Sequence, residues 1–305
     1  MLYNQQLKEE YFNDVSDMSK KMLIKRFESF GDNIESIYGK DLNELTKEEF
    51  RIGLSNMNYK SYTTLRNEIS QISKYIDWCI LNLKIFNTSN PLINFNAYSV
   101  NIDKTVKLYY IKDEDTLLNI IHSSDCDIFE VEPSIACLKW LGLSNDQIIN
   151  LEILDVDFLN NTVLGLSVTD KIMEVLKSHF ETKCYKRSKV IYSKHYRDNK
   201  FLCRFHCENW NKEKKVNDDL ISNGIRKLIK TSKYANANNI LTSSVYILES
   251  GKLFNLHLRE VLNRDLTKED FGDICKIKNE DGSIDANKLK DYMELYNSYN
   301  RVFWR

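Results

Sequence analysis

The stretch Ser61–Leu83, SYTTLRNEISQISKYIDWCILNL, constrains this chain more than any other. Leu65, Ile69, Ile72, Ile76, Cys79 and Leu83 recur three or four residues apart, with Trp78 near the border of the stripe. Such spacing predicts an amphipathic helix with its apolar stripe in a core. Ser19–Tyr38 repeats the pattern through Met22, Leu23, Phe27, Phe30, Ile34 and Ile37, and Thr46-Lys-Glu-Glu49 is a capping box that opens a short helix through Leu54. Glycine (9) and proline (2) are scarce, which favours helices over a turn-rich sandwich or barrel. The expected fold is mainly α with a small β-hairpin or sheet.

At 305 residues the chain is long enough for two domains, each with its own core. Between Phe86 and Tyr110 the composition shifts to Asn and Ser around Pro91. The expected division is therefore a helical domain over 1–86, a linker over 87–110 and a second domain over 111–305. No run of eighteen apolar residues occurs, and the start MLYNQQLKEEYF carries acids where a signal peptide needs a basic then hydrophobic block. A cytoplasmic protein with no membrane partner is expected. Seven cysteines, an odd number without framework spacing, fit reduced thiols.

The net charge of −1 hides a segregated field: Glu181–Tyr234 holds 15 Lys/Arg against 6 Asp/Glu, so the remainder is acidic. A basic stretch of this kind suits a polyanion, and a solvated surface is the plainer alternative. Lys189-Val-Ile-Tyr192 and Phe201-Leu-Cys-Arg204 flank the turn Asp198-Asn199-Lys200 and read as a hairpin. Around it, Lys186, Arg187, Lys194, Arg197 and Lys200, interleaved with tyrosines, are candidate phosphate contacts. Cys203, His206 and Cys207 lack the spacing of a zinc site, and Cys203 reads as core, so no metal or cofactor is expected. Val216–Tyr234 is amphipathic, with Leu220, Ile221, Ile225, Leu228 and Ile229 on one side and Arg226, Lys227, Lys230 and Lys233 on the other. In Leu141–Phe158, Ser144-Asn-Asp-Gln147 is a capping box that starts a helix burying Ile148, Ile149 and Leu151.

The segment Ala237–Gly251, ANNILTSSVYILESG, resembles the tyrosine recombinase (phage integrase) family, in which a His-x-x-Arg helix with small and apolar residues ends at Ser-Gly. In that spacing the histidine position falls on Ala237 and the arginine position on Ile240. The family's Gly-Leu-Arg has become Gly142-Leu143-Ser144, its second histidine or tryptophan position falls near Asn263, and its nucleophile position near Gly272. No tyrosine lies between Tyr246 and Tyr292. Strand exchange needs a tyrosine nucleophile and pre-placed cations around the phosphate. Each lost donor costs roughly 10²–10³ in rate, so the expectation is a recombinase-like body without cleavage activity.

The resemblance implies a two-domain architecture: a helical core-binding domain, half of a clamp around the duplex in that family, followed by a degenerate catalytic-type domain. It implies that Lys60, Thr63, Thr64 and Arg66, at the start of the long helix, face DNA. It also implies that Asn223, Arg226, Lys230 and Lys233, with Lys227 beside them, lie on the helix that approaches the major groove. Tyr292, Tyr296 and Tyr299 recur at helical spacing and are expected to pack the last helix against the body or a neighbouring subunit.

The whole pattern, including Thr267-Lys-Glu-Asp270-Phe271 and the Tyr-rich end, is similar to the lytic-cycle repressors of SPbeta-type prophages. That likeness implies a nucleoid-associated repressor in a bacterial host, binding operator sites in double-stranded DNA, with self-association through the last helix and an antirepressor as further partners. The alternatives are an integrase or accessory recombination protein with a rebuilt cationic site, and a helical protein-interaction module that does not bind DNA.

Overall fold

The computed structural model describes residues 2–15, 17–59, 61–84, 89–127, 130–181, 184–186, 193–195, 200–203, 216–263 and 265–305; for 17–19, 184–186, 193–195 and 263 the description is of the backbone. Among these the fold is mainly helical, with two small antiparallel sheets. Contacts divide it into two compact units, Met1–Val106 with Lys290–Arg305, and Lys107–Leu289. No described helix is long and apolar enough to cross a membrane.

The first unit starts with α1 (Gln5–Asn13) and α2 (Asp17–Phe30), which runs through a π-helical turn, Gly31–Glu35, into the short α3 (Ser36–Tyr38). Then come α4 (Lys47–Ser55), α5 (Tyr62–Leu81) and the first residues of α6 (Asp103–Tyr109), which the boundary after Val106 divides. The capping box at Thr46 forms as expected: Glu49 N donates to Thr46 Oγ1 at 3.2 Å and Thr46 N to Glu49 Oε2 at 2.8 Å. Ser61 caps α5, accepting from Thr64 N at 3.1 Å, and Leu65, Ile69, Ile72, Ile76 and Cys79 are buried. Leu83 leaves the expected stripe because the helix stops at Leu81; Leu83 takes a φ of +57° and is exposed. Met22 and Ile37 are likewise exposed, whereas Leu23, Phe27, Phe30 and Ile34 are buried.

Beneath α5 lies a buried charge cluster that periodicity does not reveal. Lys8 Nζ donates to Glu35 Oε1 at 2.6 Å and to Asp41 Oδ2 at 3.2 Å, and Tyr75 OH donates to Asp41 Oδ1 at 2.9 Å. One ammonium faces two carboxylates. Burial, with Asp41 adding to it against the pull of Lys8, pushes Glu35 up to about 7.

The second unit contains α7 (Glu114–His122), α8 (Val131–Trp140) and α9 (Asn145–Asn150), then a three-stranded sheet of β1 (Val156–Asp157), β2 (Thr162–Val163) and β3 (Leu166–Ser167). It continues through α10 (Asp170–Glu181), β4 (Cys184–Lys186), β5 (Ser193–His195), α11 (Asp218–Thr231), α12 (Lys233–Ala237), α13 (Ser244–Asn263) and α14 (Lys268–Ile274). α8 is its axis: every residue from Pro133 to Trp140 is buried, and α10, α11 and α13 pack against it. The Ser-Gly pair of α13 explains how that packing is reached. A Cβ on Gly251 would sit 1.9 Å from Trp140 O, so only glycine admits this approach, while buried Ser250 Oγ accepts from Ile111 N at 2.8 Å.

Two pairings are described around the expected hairpin. β4 pairs with β5, Tyr185 opposite Lys194, and Phe201 bridges Glu152. Leu202 N donates to Leu151 O at 2.9 Å, and Phe201, Leu202 and Cys203 are all buried, so core burial takes this segment to 151–153. The expected hairpin partner 189–192, the turn residues 198–199 and Arg204 lie outside the described residues. Cys203 is core as expected, its thiol pushed up to about 12 by burial.

The last helix, α15 (Ala286–Phe303), belongs from Lys290 onward to the first unit. This differs from a second domain running to 305. Tyr296 and Tyr299 are buried and Tyr292 is half-buried, so the tyrosine face is covered within the chain. The expected linker is also built into the first unit as far as Val106. Asn90 ties it to α5, its Nδ2 donating to Ser73 O at 3.0 Å and Asp77 Oδ1 at 2.8 Å.

Candidate nucleic-acid interface

Among the described residues, α11 carries the clearest concentration of available cations. Asn217 caps it, accepting from Leu220 N at 2.8 Å, and Asp218 and Asp219 stand in the first turn, where the helix dipole favours acids. Ile221, Gly224, Ile225, Leu228 and Ile229 are buried, with Gly224 allowing close approach: a Cβ there would lie 2.9 Å from Glu132 Cγ. The period of the buried face leaves Asn223, Arg226, Lys227 and Lys230 exposed, as the sequence predicts.

These four are not equivalent. Arg226 Nη1 donates to Asn223 Oδ1 at 2.9 Å, and no described carboxylate pairs with Arg226, Lys230 or Lys233. Lys227 instead reaches Glu130 Oε2 at 3.0 Å and Glu132 Oε1 at 3.2 Å. Partial burial pulls its pKa down, but the two glutamates outweigh that and hold the ammonium above the ordinary lysine value. Lys227 is therefore better assigned to the protein than to a phosphate. Its ammonium also occupies the cluster of Cys126, Glu130 and Glu132, the one grouping among the described residues with metal-ligand donors within reach of each other. Lys233 is exposed at the start of α12, whose position is fixed by Ser232 Oγ and Ser123 Oγ, 2.7 Å apart, and by Lys233 N donating to Ser123 O at 3.0 Å.

At the start of α5 the expected DNA contacts have other employment. Arg66 forks onto Asp291, Nη1 to Oδ1 at 2.8 Å and Nη2 to Oδ2 at 2.7 Å, and Tyr98 OH donates to the same carboxylate at 2.8 Å. That charge-assisted bonding holds the guanidinium above its ordinary pKa. Thr63 Oγ1 accepts from Arg66 at 3.2 Å, and Thr64 Oγ1 is 3.1 Å from the capping Ser61. Arg66 and Thr63 thus fasten α15 instead of standing free. Lys60, Arg187 and Arg197 lie outside the described residues. Lys186 and Lys194 are placed on β4 and β5 by their backbone, and Lys200 pairs with Glu152.

The positions that the resemblance maps to catalytic groups have plain structural roles where they are described. Ser144 caps α9, accepting from Gln147 N at 3.2 Å while Gln147 Oε1 accepts from Ser144 N at 2.9 Å. Ile240 packs against the core, Ala237 is exposed at the end of α12, and Asn263 is the last residue of α13. A cation missed in the sequence lies beside Ser144: Lys139, buried in α8, donates to Leu143 O at 3.2 Å. Burial, only partly offset by Asp218, lowers it to about 8. Its place in an otherwise apolar helix face is the signal that could have found it.

Residues 2–81 match the family model described as MrpR, N-terminal core-binding domain. A search of curated protein sequences finds no match. Among solved structures, the Tn1549 transposon integrase in complex with a circular intermediate DNA is similar at 14% identity and a TM-score of 0.37, covering 96% of this chain and 95% of that chain. The same integrase in complex with transposon right end DNA gives 12% and 0.36, covering 99% and 93%. The integrase from mycobacterium phage Brujita gives 11% and 0.34, covering 99% and 92%.

Proposed function

We propose that this chain is a sequence-specific double-stranded DNA-binding protein with a tyrosine-recombinase-like body and no strand-cleaving activity, serving as a prophage repressor of the lytic cycle. The observation that carries the reading is the core-binding-domain match over residues 2–81, in a chain whose α11 displays Arg226 and Lys230 with no carboxylate partner among the described residues. The binding surface is α11 with Lys233 of α12. Asn223 and Arg226 have the side chains suited to base edges, and Lys230 and Lys233 supply charge to phosphates.

Loss of cleavage is supported by what fills the corresponding positions. Ser144 is a helix cap and Ile240 a packing residue, and Val156–Ser167, the segment of the three-stranded sheet, contains no lysine or arginine. In an active recombinase such positions hold the cations that stabilise charge on the phosphate.

The reading is tested by capturing prophage and host genomic fragments with the full chain and titrating the enriched fragments by fluorescence anisotropy across salt. A few recurring sites are expected, with affinity falling steeply as salt rises, because bound counterions are released. Arg226→Ala/Lys230→Ala should blur the site preference and flatten the salt slope by about 1 per lost phosphate contact. No enrichment at any salt would overturn the DNA reading. A covalent adduct on a nicked suicide substrate would overturn the absence of cleavage and favour an integrase.

A further inference from the structure

The sheet β1–β2–β3 of the second unit turns leucines outward. Leu154 and Leu159 are 93% and 91% exposed, and Leu164 and Leu166 are exposed as well. One such residue is ordinary on a protein surface, but four within 154–166 form a patch of the kind that marks an interaction site. The backbone gathers three of them at one end of the sheet. Leu164 N donates to Asp155 O at 2.8 Å, which brings it alongside the 154–155 backbone, and Leu166 pairs with Val163 across the same turn. Leu159 stands in the turn that joins β1 to β2.

Leu164 carries a second signal. Leu164 and Gly165 take φ values of +50° and +76°, the two central positions of a tight hairpin turn that favours Asn-Gly. A leucine is strained in that conformation, and this one also faces water. An asparagine would relieve both penalties. Strain held at an exposed apolar side chain points to a contact made outside its own chain.

Charge says what covers the patch. Residues 140–170 hold five acids, Asp146, Glu152, Asp155, Asp157 and Asp170, and no Lys or Arg. Glu152 pairs with Lys200, and no described cation pairs with the other four. The same unit carries a groove of the complementary character, about 530 Å³ in volume, beside α11. Apolar Ile225, Ile229, Ile240 and the exposed Leu241 line it together with Arg226 and Lys230, and no acid is among the described lining residues. One chain thus leaves open both an acidic, leucine-rich knob and a basic, apolar groove.

We propose that the β1–β2–β3 knob of one copy docks in the α11 groove of a second copy, its leucines against Ile229, Ile240 and Leu241 and its aspartates facing Arg226 and Lys230. The patch is small, so the association is weak and transient. Each contact joins unlike surfaces, and one chain carries both. DNA would take the same two cations, so DNA binding and self-association exclude one another; this consequence alone rests on the DNA reading above.

Sedimentation velocity of the full chain without DNA, from about 1 to 300 μM at low salt, should show mass rising with concentration, and the rise should fade as salt is added. Leu159→Asn/Leu164→Asn should weaken association by about tenfold or more. Leu164→Asn alone should raise the Tm of the monomer, because asparagine suits the turn. Arg226→Ala/Lys230→Ala should weaken association to a similar degree without lowering the Tm. The deciding measurement is a mixture of the two double variants, one of them fluorescently labelled. The knob variant keeps its groove and the groove variant keeps its knob, so the mixture should form a heterodimer at concentrations where each variant alone is a monomer. The proposal fails if the wild type is monomeric across the range, if either double variant associates like the wild type, or if the mixture forms no heterodimer. A captured DNA fragment should dissociate the wild-type assembly. An assembly that persists on bound DNA overturns the shared surface, and failure of the fragment itself to bind counts against the DNA reading alone.

Discussion

At the scale of single residues, the groups that matter most here act through burial. Gly251 lets α13 meet the carbonyl of Trp140, and Gly251→Ala places a carbon where backbone already stands. Its expected cost is about 3 kcal/mol, read as a fall in urea midpoint. Lys139 shows the opposite sign. An ammonium lowered to about 8 by burial disfavours the folded state at neutral pH, so Lys139→Met should stabilise by about 1 kcal/mol at pH 7. Because the folded pKa lies below the ordinary lysine value, the wild type should regain ground on that variant as pH rises from about 8. Glu35 is shifted upward instead. Its folded pKa, about 7, lies above the ordinary 4.5, so the stability it contributes is full below about 4.5 and lost as pH rises through about 7. Melting curves of the wild type and Glu35→Gln across that window should converge or cross in favour of the variant as pH rises, and parallel curves would contradict the shift. The cap at Ser144 was fully legible in the sequence, because a capping box is written within four positions. Arg66 was not, since its partner Asp291 lies 225 residues further on.

Elements were more legible than their partners. Helix periodicity located α2, α5, α11 and α15, because an apolar stripe every three or four residues is a local property of the chain, and a capping box located α4. The strands were harder: β1, β2 and β3 are two residues each, too short for alternation to register, and 201–203 meets a neighbour some fifty residues earlier, which no local window contains. The place of α15 depended on contacts that no window of sequence contains. Its attachment can be measured directly: Arg66→Ala and Asp291→Ala should each destabilise the first unit. Their double-mutant cycle should return a coupling of about 1 kcal/mol, modest because both side chains retain solvent access. A coupling near zero would mean that the buried Tyr296 and Tyr299 hold the helix without help from the ion pair.

For the molecule as a whole, the separation of a basic Glu181–Tyr234 stretch from an acidic remainder was readable at once, and so was the count of two units. Which cations remain available was not, because that depends on where the acids fold: Lys227 and Lys200 are neutralised by Glu130, Glu132 and Glu152, and no described acid pairs with Arg226 or Lys230. Restoring Lys227 to solvent with Glu130→Gln/Glu132→Gln should therefore raise nonspecific DNA affinity at low salt, with the gain vanishing as salt rises. The assignment of Lys290–Arg305 to the same unit as the first hundred residues also bears on how the chain is made. A ribosome releases the N-terminal helices long before the segment that covers their flank, so the first unit waits, incomplete, through synthesis of the entire second one. A stop codon a few residues before Lys290 would thus injure the part of the protein translated first and spare the part translated last.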